Sequence, residues 1–287
     1  PPSRAIIRSS KTAHLREVPN NAMKRRDFLK SAAAAFAGAF VGGCARAAEQ
    51  ASAALSKPSA TGQSHAVPVA VVHRPGMLSD PLTPSGSAVK ESLSLAMEKA
   101  FGVPADEAWK QIAGPNDVVA IKVNCISRLI YTHPTVVAAI CEGLMQAGVP
   151  ENDIIIFDRT SGELSRSGYQ LNRGPKGIRC YGTDSAYDKW VQYQGVSTRL
   201  SRIITEEATV IINVPILKHH RSSGVTLAMK NHYGSIANPN QLHANHCDPG
   251  IPAINALPEI RNKTRLVVID ATRGLFDGGP GGRPDAI

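Results

Sequence analysis

The sequence has few aromatic side chains and no closely spaced cysteines. Phe, Trp and Tyr make up 5% of its 287 residues, and none of its five cysteines forms a Cys-x-x-Cys pair. It therefore carries no local iron–sulfur cluster motif and no zinc knuckle, since both need cysteines at short, fixed spacing. The nucleophile elbow G-x-S-x-G, the zinc motif H-E-x-x-H and the dinucleotide fingerprint G-x-G-x-x-G are absent as well. No motif in this chain names a cofactor.

Long hydrophobic runs are also missing. The Ala- and Gly-rich run that ends at Cys44 is too short for a membrane-spanning helix. Ahead of it, Arg25 and Arg26 open the segment RRDFLK, which resembles a twin-arginine export signal, and we assign residues 23–48 to that signal. Cys44 also closes a lipoprotein-like box, VGGC, which makes a lipid anchor the alternative. We expect export to the periplasm by the twin-arginine machinery, with membrane contact only through the leader or such an anchor.

The segments beside this signal do not resemble folded structure. Residues 1–22 are polar and basic and lack a starting Met, so we interpret them as an upstream non-native or disordered segment. Residues 49–66 are rich in Ala and Ser and are typical of a flexible linker. Residues 1–44 hold eight Lys or Arg and two Asp or Glu, a net +6 of the whole chain's +9, which leaves +3. The basic character thus belongs largely to the leader, and no nucleic-acid partner is expected.

The remaining residues, 67–287, are predicted to form an α/β domain. The strand–helix–strand order between Asp117 and Asp158 is a βαβ unit, which implies parallel pairing, so we predict a mainly parallel sheet flanked by helices. A helical patch is predicted at Tyr187–Val191 and a single helix at Ile251–Ile260. The predicted strands are residues 67–73, 117–123, 154–157, 178–181, 209–214 and, as the last of them, 265–269.

Polar side chains follow four of the apolar runs. They are Lys122 and Asn124, Asp158 and Arg159, Lys218 and His219, and Asp270 and Arg273. A helix-like TLAM segment then brings Lys230 and Asn231 into the same part of the chain. If the strands are parallel, these groups converge on the carboxyl edge of one sheet, where ligands bind in open α/β folds.

The first interpretation of these residues is an anion site. Lysine is a compact point charge suited to phosphate or carboxylate, asparagine supplies neutral hydrogen bonds, and histidine serves as general acid or base. In this reading the substrate-binding residues are Lys122, Asn124, Asp158 and Arg159. The catalytic residues are Lys218, His219, Lys230, Asn231 and Asp270.

The second interpretation is a transition-metal site. Imidazole suits Zn, Ni, Cu and Fe, and the possible ligands are His219, His220, His232, His243, His246 and Cys247. We assign His232, His243 and His246 as the candidate ligands. A third interpretation is that these lysines and histidines are solvated loop residues, with the aspartates capping neighbouring helices. The spacing of the residues leaves all three open.

Two long segments resemble the family catalogued as domain of unknown function 362. These are KVNCISRLIYTHPTVVAAICEGLMQAG from Lys122 and NVPILKHHRSSGVTLAMKNHYGSI from Asn213, and the stretch after Asp270 is similar as well. The resemblance implies no assigned activity. Some members carry ferredoxin-like cysteine motifs that this chain lacks, so an iron–sulfur label does not transfer. Members continue beyond the strand before Asp270, which implies that this chain is incomplete at its C-terminus.

These observations give two hypotheses for function. The first is an exported enzyme that acts on a small anionic substrate bearing a phosphate or carboxylate group. The alternative is a non-catalytic periplasmic protein that binds a metal or a solute through the histidine cluster.

Overall fold

The computed structural model of the chain describes residues 67–80 and 82–282. The assignments made above to residues 1–22, 23–48 and 49–66, and to Cys44, lie outside this part. Its α-helices are α1 Gly86–Phe101, α2 Ala105–Ile112, α3 Pro134–Gln146, α4 Ser161–Arg166, α5 Ala228–Asn231, α6 Gly250–Ala256 and α7 Pro258–Arg261. The strands are β1 Val119–Lys122, β2 Ile154–Phe157, β3 Arg179–Cys180, β4 Tyr187–Tyr193, β5 Val196–Ser201, β6 Val210–Asn213, β7 Ile216–His220, β8 Gly224–Thr226, β9 Thr264–Val267 and β10 Asp270–Leu275.

A five-stranded parallel sheet forms the centre, in the order β3-β2-β1-β6-β9. The three middle strands read VAIK, IIIF and VIIN, and almost all of their residues are buried. Near-continuous apolar strands of this kind are typical of parallel sheets covered on both faces. The predicted α/β fold with a mainly parallel sheet flanked by helices is confirmed.

Alternate residues of β1 point into two different cores. Ile121 packs in the cluster that also contains Trp109 of α2 and Ile140 of α3. Ala120 packs in a second cluster with Leu200 and Ile254. Because side chains alternate along a strand, helices can cover both faces of the sheet.

Helix α3 follows β1 and fixes where that strand's carboxyl end lies. Pro134 occupies its first turn, and the ring of N-cap His133 accepts a 3.2 Å hydrogen bond from the Thr135 N–H. Proline suits this position because its missing N–H would have no partner there. Shortly after the helix, Gly148 adopts φ +93°, a conformation that favours glycine, as expected for a helix stop.

A second sheet of three strands, in the order β10-β7-β8, lies after the end of β6. Strand β7 pairs parallel with β10 and antiparallel with β8. Lys218 and His219 therefore lie inside a strand of this second sheet, and Asp270 is the first residue of β10. The four apolar runs ahead of the polar clusters are β1, β2, β6 and β9, and all of them are strands of the five-stranded sheet, as expected. Two of the clusters do not lie in loops, however, because extended structure resumes after Pro215 as β7 and after β9 as β10.

Three local predictions also fail. Residues 67–73 form no strand, and Val71 is 83% exposed, since no strand of the described part pairs with them. Tyr187–Val191 is strand rather than helix, because Gln194 and Gly195 both have positive φ and make a tight two-residue turn into β5. The helix predicted at Ile251–Ile260 is divided into α6 and α7 at Pro258, a residue that disfavours helix in the position before it.

No helix in the described ranges has both the length and the hydrophobicity needed to cross a membrane.

Candidate functional site

A buried ion pair joins the carboxyl ends of β1 and β2. The ammonium of Lys122 lies 2.7 Å from Asp158 Oδ1 and donates a second hydrogen bond of 2.6 Å to the Val123 carbonyl. Lys122 is fully buried and Asp158 is 4% exposed. Asp158 also accepts from the backbone N–H groups of Cys125 and Arg159. The pair thus holds both strand ends together at the edge where ligands bind in α/β sheets.

Gly234 allows the chain to pass close to this pair. It lies in the 3-10 turn His232–Ser235, after α5. A Cβ at this position would stand 2.5 Å from Asp158 Oδ1 and 2.6 Å from Lys122 Nζ. The absence of a side chain at Gly234 therefore lets the turn cover the ion pair.

Three asparagines extend the buried network from the first sheet toward α5. Asn231 accepts a 2.9 Å hydrogen bond from the Asn124 amide and donates one of 2.8 Å to Asn213 Oδ1. Asn124 Oδ1 in turn accepts a 2.8 Å hydrogen bond from the ammonium of Lys218. Lys122 is 3.4 Å from Asn231 Oδ1. The structure thus brings together Lys122, Asn124, Asp158, Lys218 and Asn231, as the sequence predicts.

Side chains of β7 point alternately to its two faces, and this places the neighbouring candidates Lys218 and His219 on opposite faces. Ile216, Lys218 and His220 are buried, whereas Leu217 and His219 are only partly so. Because successive side chains of a strand point to opposite faces, His220 shares the face of Lys218 and His219 does not.

His219 contacts the C-terminal part of the described chain instead of the network. Its Nδ1 accepts a 3.1 Å hydrogen bond from the Gly279 N–H and lies 3.6 Å from Asp277 Oδ1. The structure does not join this predicted catalytic residue to the Lys218 cluster.

Lys218 and Lys230 are buried amines without a carboxylate partner. Lys218 is fully buried and Lys230 is 9% exposed, and neither forms an ion pair within residues 67–80 and 82–282. Burial lowers the pKa of Lys218 to about 8, although the charge of Asp158 acts in the opposite direction. Burial likewise lowers the pKa of Lys230 to about 8. Uncompensated positive charge of this kind makes the site attractive to an anion.

Thr226 adds a hydroxyl group to the same face. In the antiparallel pairing of β7 with β8, it lies directly opposite Lys218. Directly opposite residues have Cβ atoms about 5 Å apart with side chains on one face of the sheet. Thr226 is 3% exposed, and its Oγ1 has no hydrogen-bond partner in the described structure. A buried hydroxyl without a partner is costly, and a bound ligand would satisfy it.

The other end of the site is a cluster of rings around Lys230. Its ammonium lies 3.3 Å from His243 Nε2 and 3.7 Å from the centre of the Tyr233 ring. The rings of His220 and His243 stack with their centres 5.4 Å apart. Burial lowers the pKa of His220 to about 4, and burial also lowers the pKa of His243. Both imidazoles are therefore neutral near pH 7.

Arg159 and Asp270 are engaged elsewhere. The Arg159 guanidinium pairs with Glu163 of α4 at 2.6 Å. Asp270 accepts hydrogen bonds from the His133 N–H at 2.8 Å and from the Thr272 hydroxyl at 2.7 Å. Burial raises the pKa of Asp270. Its described contacts anchor the start of β10 to the start of α3, and the hydrogen-bond network of Lys122 does not include it.

The three candidate metal ligands have separate partners. Both ring nitrogens of His232 are engaged, with Asn213 at 3.2 Å and with Ser235 at 3.3 Å. His246 lies on the surface, 3.2 Å from the Ser222 carbonyl, and His243 contacts Lys230. In the described part of the chain, no three His, Cys, Asp or Glu side chains are grouped so that they could hold a metal ion. This geometry does not favour the metal interpretation, which stays a prediction.

Sequence reasoning did not assign Thr226 and Gly234 to the site, and it included His220 only as a candidate metal ligand. The segment ILKHH is followed by a turn of small residues, a pattern that is typical of a β-hairpin. In a hairpin, His220 and Thr226 lie on the same face as Lys218. No local signal marks Gly234, because the groups it approaches come from β1 and β2.

Comparison with known proteins finds one family model that matches residues 119–287, with the description "Domain of unknown function (DUF362)". No curated protein matches the chain. Among solved structures, it is similar to the crystal structure of a Thermotoga maritima protein, a target of the Northeast Structural Genomics Consortium. The two are 13% identical with a TM-score of 0.44, over 72% of this chain and 54% of that one. This chain thus spans about half the length of the solved protein.

Proposed function

Because the chain belongs to the family described as Domain of unknown function (DUF362), a description that assigns no activity, we propose a function from the site itself. The protein is an enzyme that binds a small anion, carboxylate or phosphate, between Lys218 and Lys230. The observation that carries this proposal is the pair of buried amines without a carboxylate partner in the described structure.

The hydrogen-bonding capacity of the two ammonium groups supports this function. An ammonium has three donors, and Lys218 uses one of them on Asn124 Oδ1. Within the described ranges, the ammonium of Lys230 has one hydrogen-bond partner, Nε2 of His243. Together with the Thr226 hydroxyl, several donors are left for one ligand. An anion would accept these hydrogen bonds and would also offset the positive charge, which a neutral ligand would not do.

Anion binding should stabilise the folded protein. We expect inorganic phosphate or lactate to raise the unfolding temperature at constant ionic strength, since a ligand at 100 times its Kd adds about 2.7 kcal/mol. Lys218→Met should weaken the binding of the effective anion by about 10- to 100-fold, because a hydrogen bond to a charged group is worth about 1.5–3 kcal/mol. Thermal unfolding and isothermal titration calorimetry measure both effects.

The matched control is Lys110→Met, which removes an equal charge from a side chain that is 58% exposed on α2. It should leave anion affinity unchanged. Equal loss in the two variants would mean that only general electrostatic attraction is measured. No stabilisation of the wild-type protein by either anion would overturn the proposed function.

The same proposal includes export. The RRDFLK segment with Arg25 and Arg26 supports delivery by the twin-arginine machinery to the periplasm, with Cys44 available as a lipid anchor. Fractionation of cells that express the chain with Arg25 and Arg26 both changed to Lys checks this. We expect the variant to accumulate in the cytoplasm, and an unchanged distribution would contradict export by this route.

A further inference from the structure

The amine of Lys230 differs from that of Lys218 in the kind of atom it contacts. Lys218 donates to an amide oxygen of Asn124, which can only accept a hydrogen bond. Lys230 lies 3.3 Å from a ring nitrogen of His243. A neutral imidazole nitrogen can accept a hydrogen bond and then take the proton itself. Of the two buried amines, Lys230 therefore has a base beside it.

The tautomer of His243 follows from its other contact. His243 Nδ1 is 2.8 Å from the carbonyl oxygen of Pro239. A carbonyl oxygen only accepts, so Nδ1 must carry the hydrogen, and the lone pair of Nε2 points to Lys230. This arrangement aims the basic nitrogen at the amine.

The segment that carries His243 is held in an unusual backbone conformation. Asn245, His246 and Cys247 have φ values of 47°, 58° and 69°. Left-handed conformation costs a non-glycine residue about 1–2 kcal/mol, and strain of this kind is frequent beside functional sites. Lys230 is 9% exposed, whereas Lys218 is fully buried, so Lys230 is the more accessible of the two amines.

We propose that Lys230 forms an imine with the carbonyl carbon of a 2-oxo acid, whose carboxylate group is held by Lys218 and Thr226. This inference rests on the proposed anion site and adds the class of substrate. The donors of Lys218 and Thr226 lie on one face of the β7–β8 hairpin, and Lys230 follows Thr226 by four residues, in α5. A 2-oxo acid has its carboxylate next to its carbonyl group. Lys218 and Thr226 would bind the carboxylate, and the amine of Lys230 would attack the neighbouring carbonyl carbon.

The reaction balances without a redox partner. His243 Nε2 takes a proton from the Lys230 ammonium, and the neutral amine attacks the carbonyl carbon to form a C–N bond. The resulting hydroxyl group leaves as water after His243 returns the proton to it. Ammonium and carbonyl thus give a protonated imine and water. The Tyr233 ring, whose centre lies 3.7 Å from the Lys230 nitrogen, stabilises that cation as it stabilises the ammonium.

Reductive trapping tests this inference. The full chain is incubated with pyruvate and sodium cyanoborohydride, and the product is analysed by intact mass and peptide mapping. We expect one reduced adduct per chain, on Lys230. Lys218→Met should need about tenfold more pyruvate for the same yield, because the carboxylate then loses a charged donor. Lys230→Arg should abolish the adduct, and Lys110→Arg should not change it.

The result separates the inference from the function on which it rests. Stabilisation by both pyruvate and lactate without any adduct would overturn the imine and leave the anion site standing. No stabilisation and no adduct would overturn both. An adduct spread over exposed lysines, or one kept in Lys230→Arg, would also refute the assignment. Peptide mapping of the wild-type protein decides the position even if a variant does not fold.

Discussion

Replacing Asp158 by asparagine is expected to lower the free energy of unfolding by about 3–5 kcal/mol, the usual cost of removing one partner of a buried ion pair. Asp158 is 4% exposed and Lys122 is fully buried, so solvent cannot replace the lost charge. Among the described residues, Asp158 is the one carboxylate paired with Lys122. The variant would leave an uncompensated ammonium at the end of β1.

Asparagine has nearly the same shape as aspartate, but it cannot replace the hydrogen bonds that Asp158 accepts. Both carboxylate oxygens of Asp158 accept hydrogen bonds: Oδ1 from Lys122 and from the Arg159 N–H, and Oδ2 from the Cys125 N–H at 2.6 Å. An amide has one oxygen, so its NH₂ group must face a donor in either orientation. The loss of charge is thus accompanied by a donor–donor contact in the interior.

Chemical denaturation at pH 7 measures this effect, with Glu142→Gln as the control. Glu142 also forms an ion pair, with Lys90, but the two side chains are 45% and 56% exposed. Exposed pairs contribute about 0–1 kcal/mol, so the control should change stability little. Equal losses of stability in the two variants would show that the buried Lys122–Asp158 pair contributes no more to folding than an exposed ion pair.

Changing Lys218 to methionine is expected to alter how stability depends on pH. The folded-state pKa of Lys218 is about 8, against an ordinary value of 10.5. In the wild-type protein, the cost of burying this charge is fully present below pH 8. It disappears as the pH rises to 10.5, because between the two values the unfolded chain binds the proton and the folded chain does not. The wild-type protein therefore gains stability across this window from Lys218.

The variant lacks this gain. One pKa unit corresponds to about 1.4 kcal/mol, so the stability of Lys218→Met relative to wild type should fall by about 3 kcal/mol between pH 7 and pH 10.5. Tyrosines and cysteines also titrate at high pH, but they are common to both proteins and cancel in the difference. Urea denaturation at a series of pH values measures it, with the exposed Lys110→Met as reference. If the free energy of unfolding depends on pH in the same way in Lys218→Met and in the wild-type protein, burial does not lower the pKa of Lys218.

The central sheet was predictable because its signal is local. The runs around Ile121, Ile155 and Ile211 are continuously apolar, and the helix that starts at Pro134 has both a start and a stop signal. Such patterns imply strands buried on two faces and parallel pairing, and residues after them converge at one edge. Lys122, Asn124 and Asp158 are brought together for this reason.

The second sheet was not predictable by the same reasoning. Strand β7 follows β6 after a two-residue interval, and its parallel partner β10 comes about fifty residues later in the chain. The turn around Gly224 indicates a hairpin only if ILKHH is first recognised as a strand. Without that step, Lys218 is taken for a loop residue and Thr226 for part of a helix.

The sequence by itself determined that the chain is an α/β protein, and it predicted that Lys122, Asp158 and Asn231 lie close together, as they do. Periodicity, proline and glycine act within a few residues, and parallel strands end at the same edge. Only the tertiary structure decided that Lys218 shares its face with Thr226 and His220, that His219 points away and that Asp270 anchors α3. Those facts depend on contacts between segments far apart in the chain, which no local pattern of residues encodes.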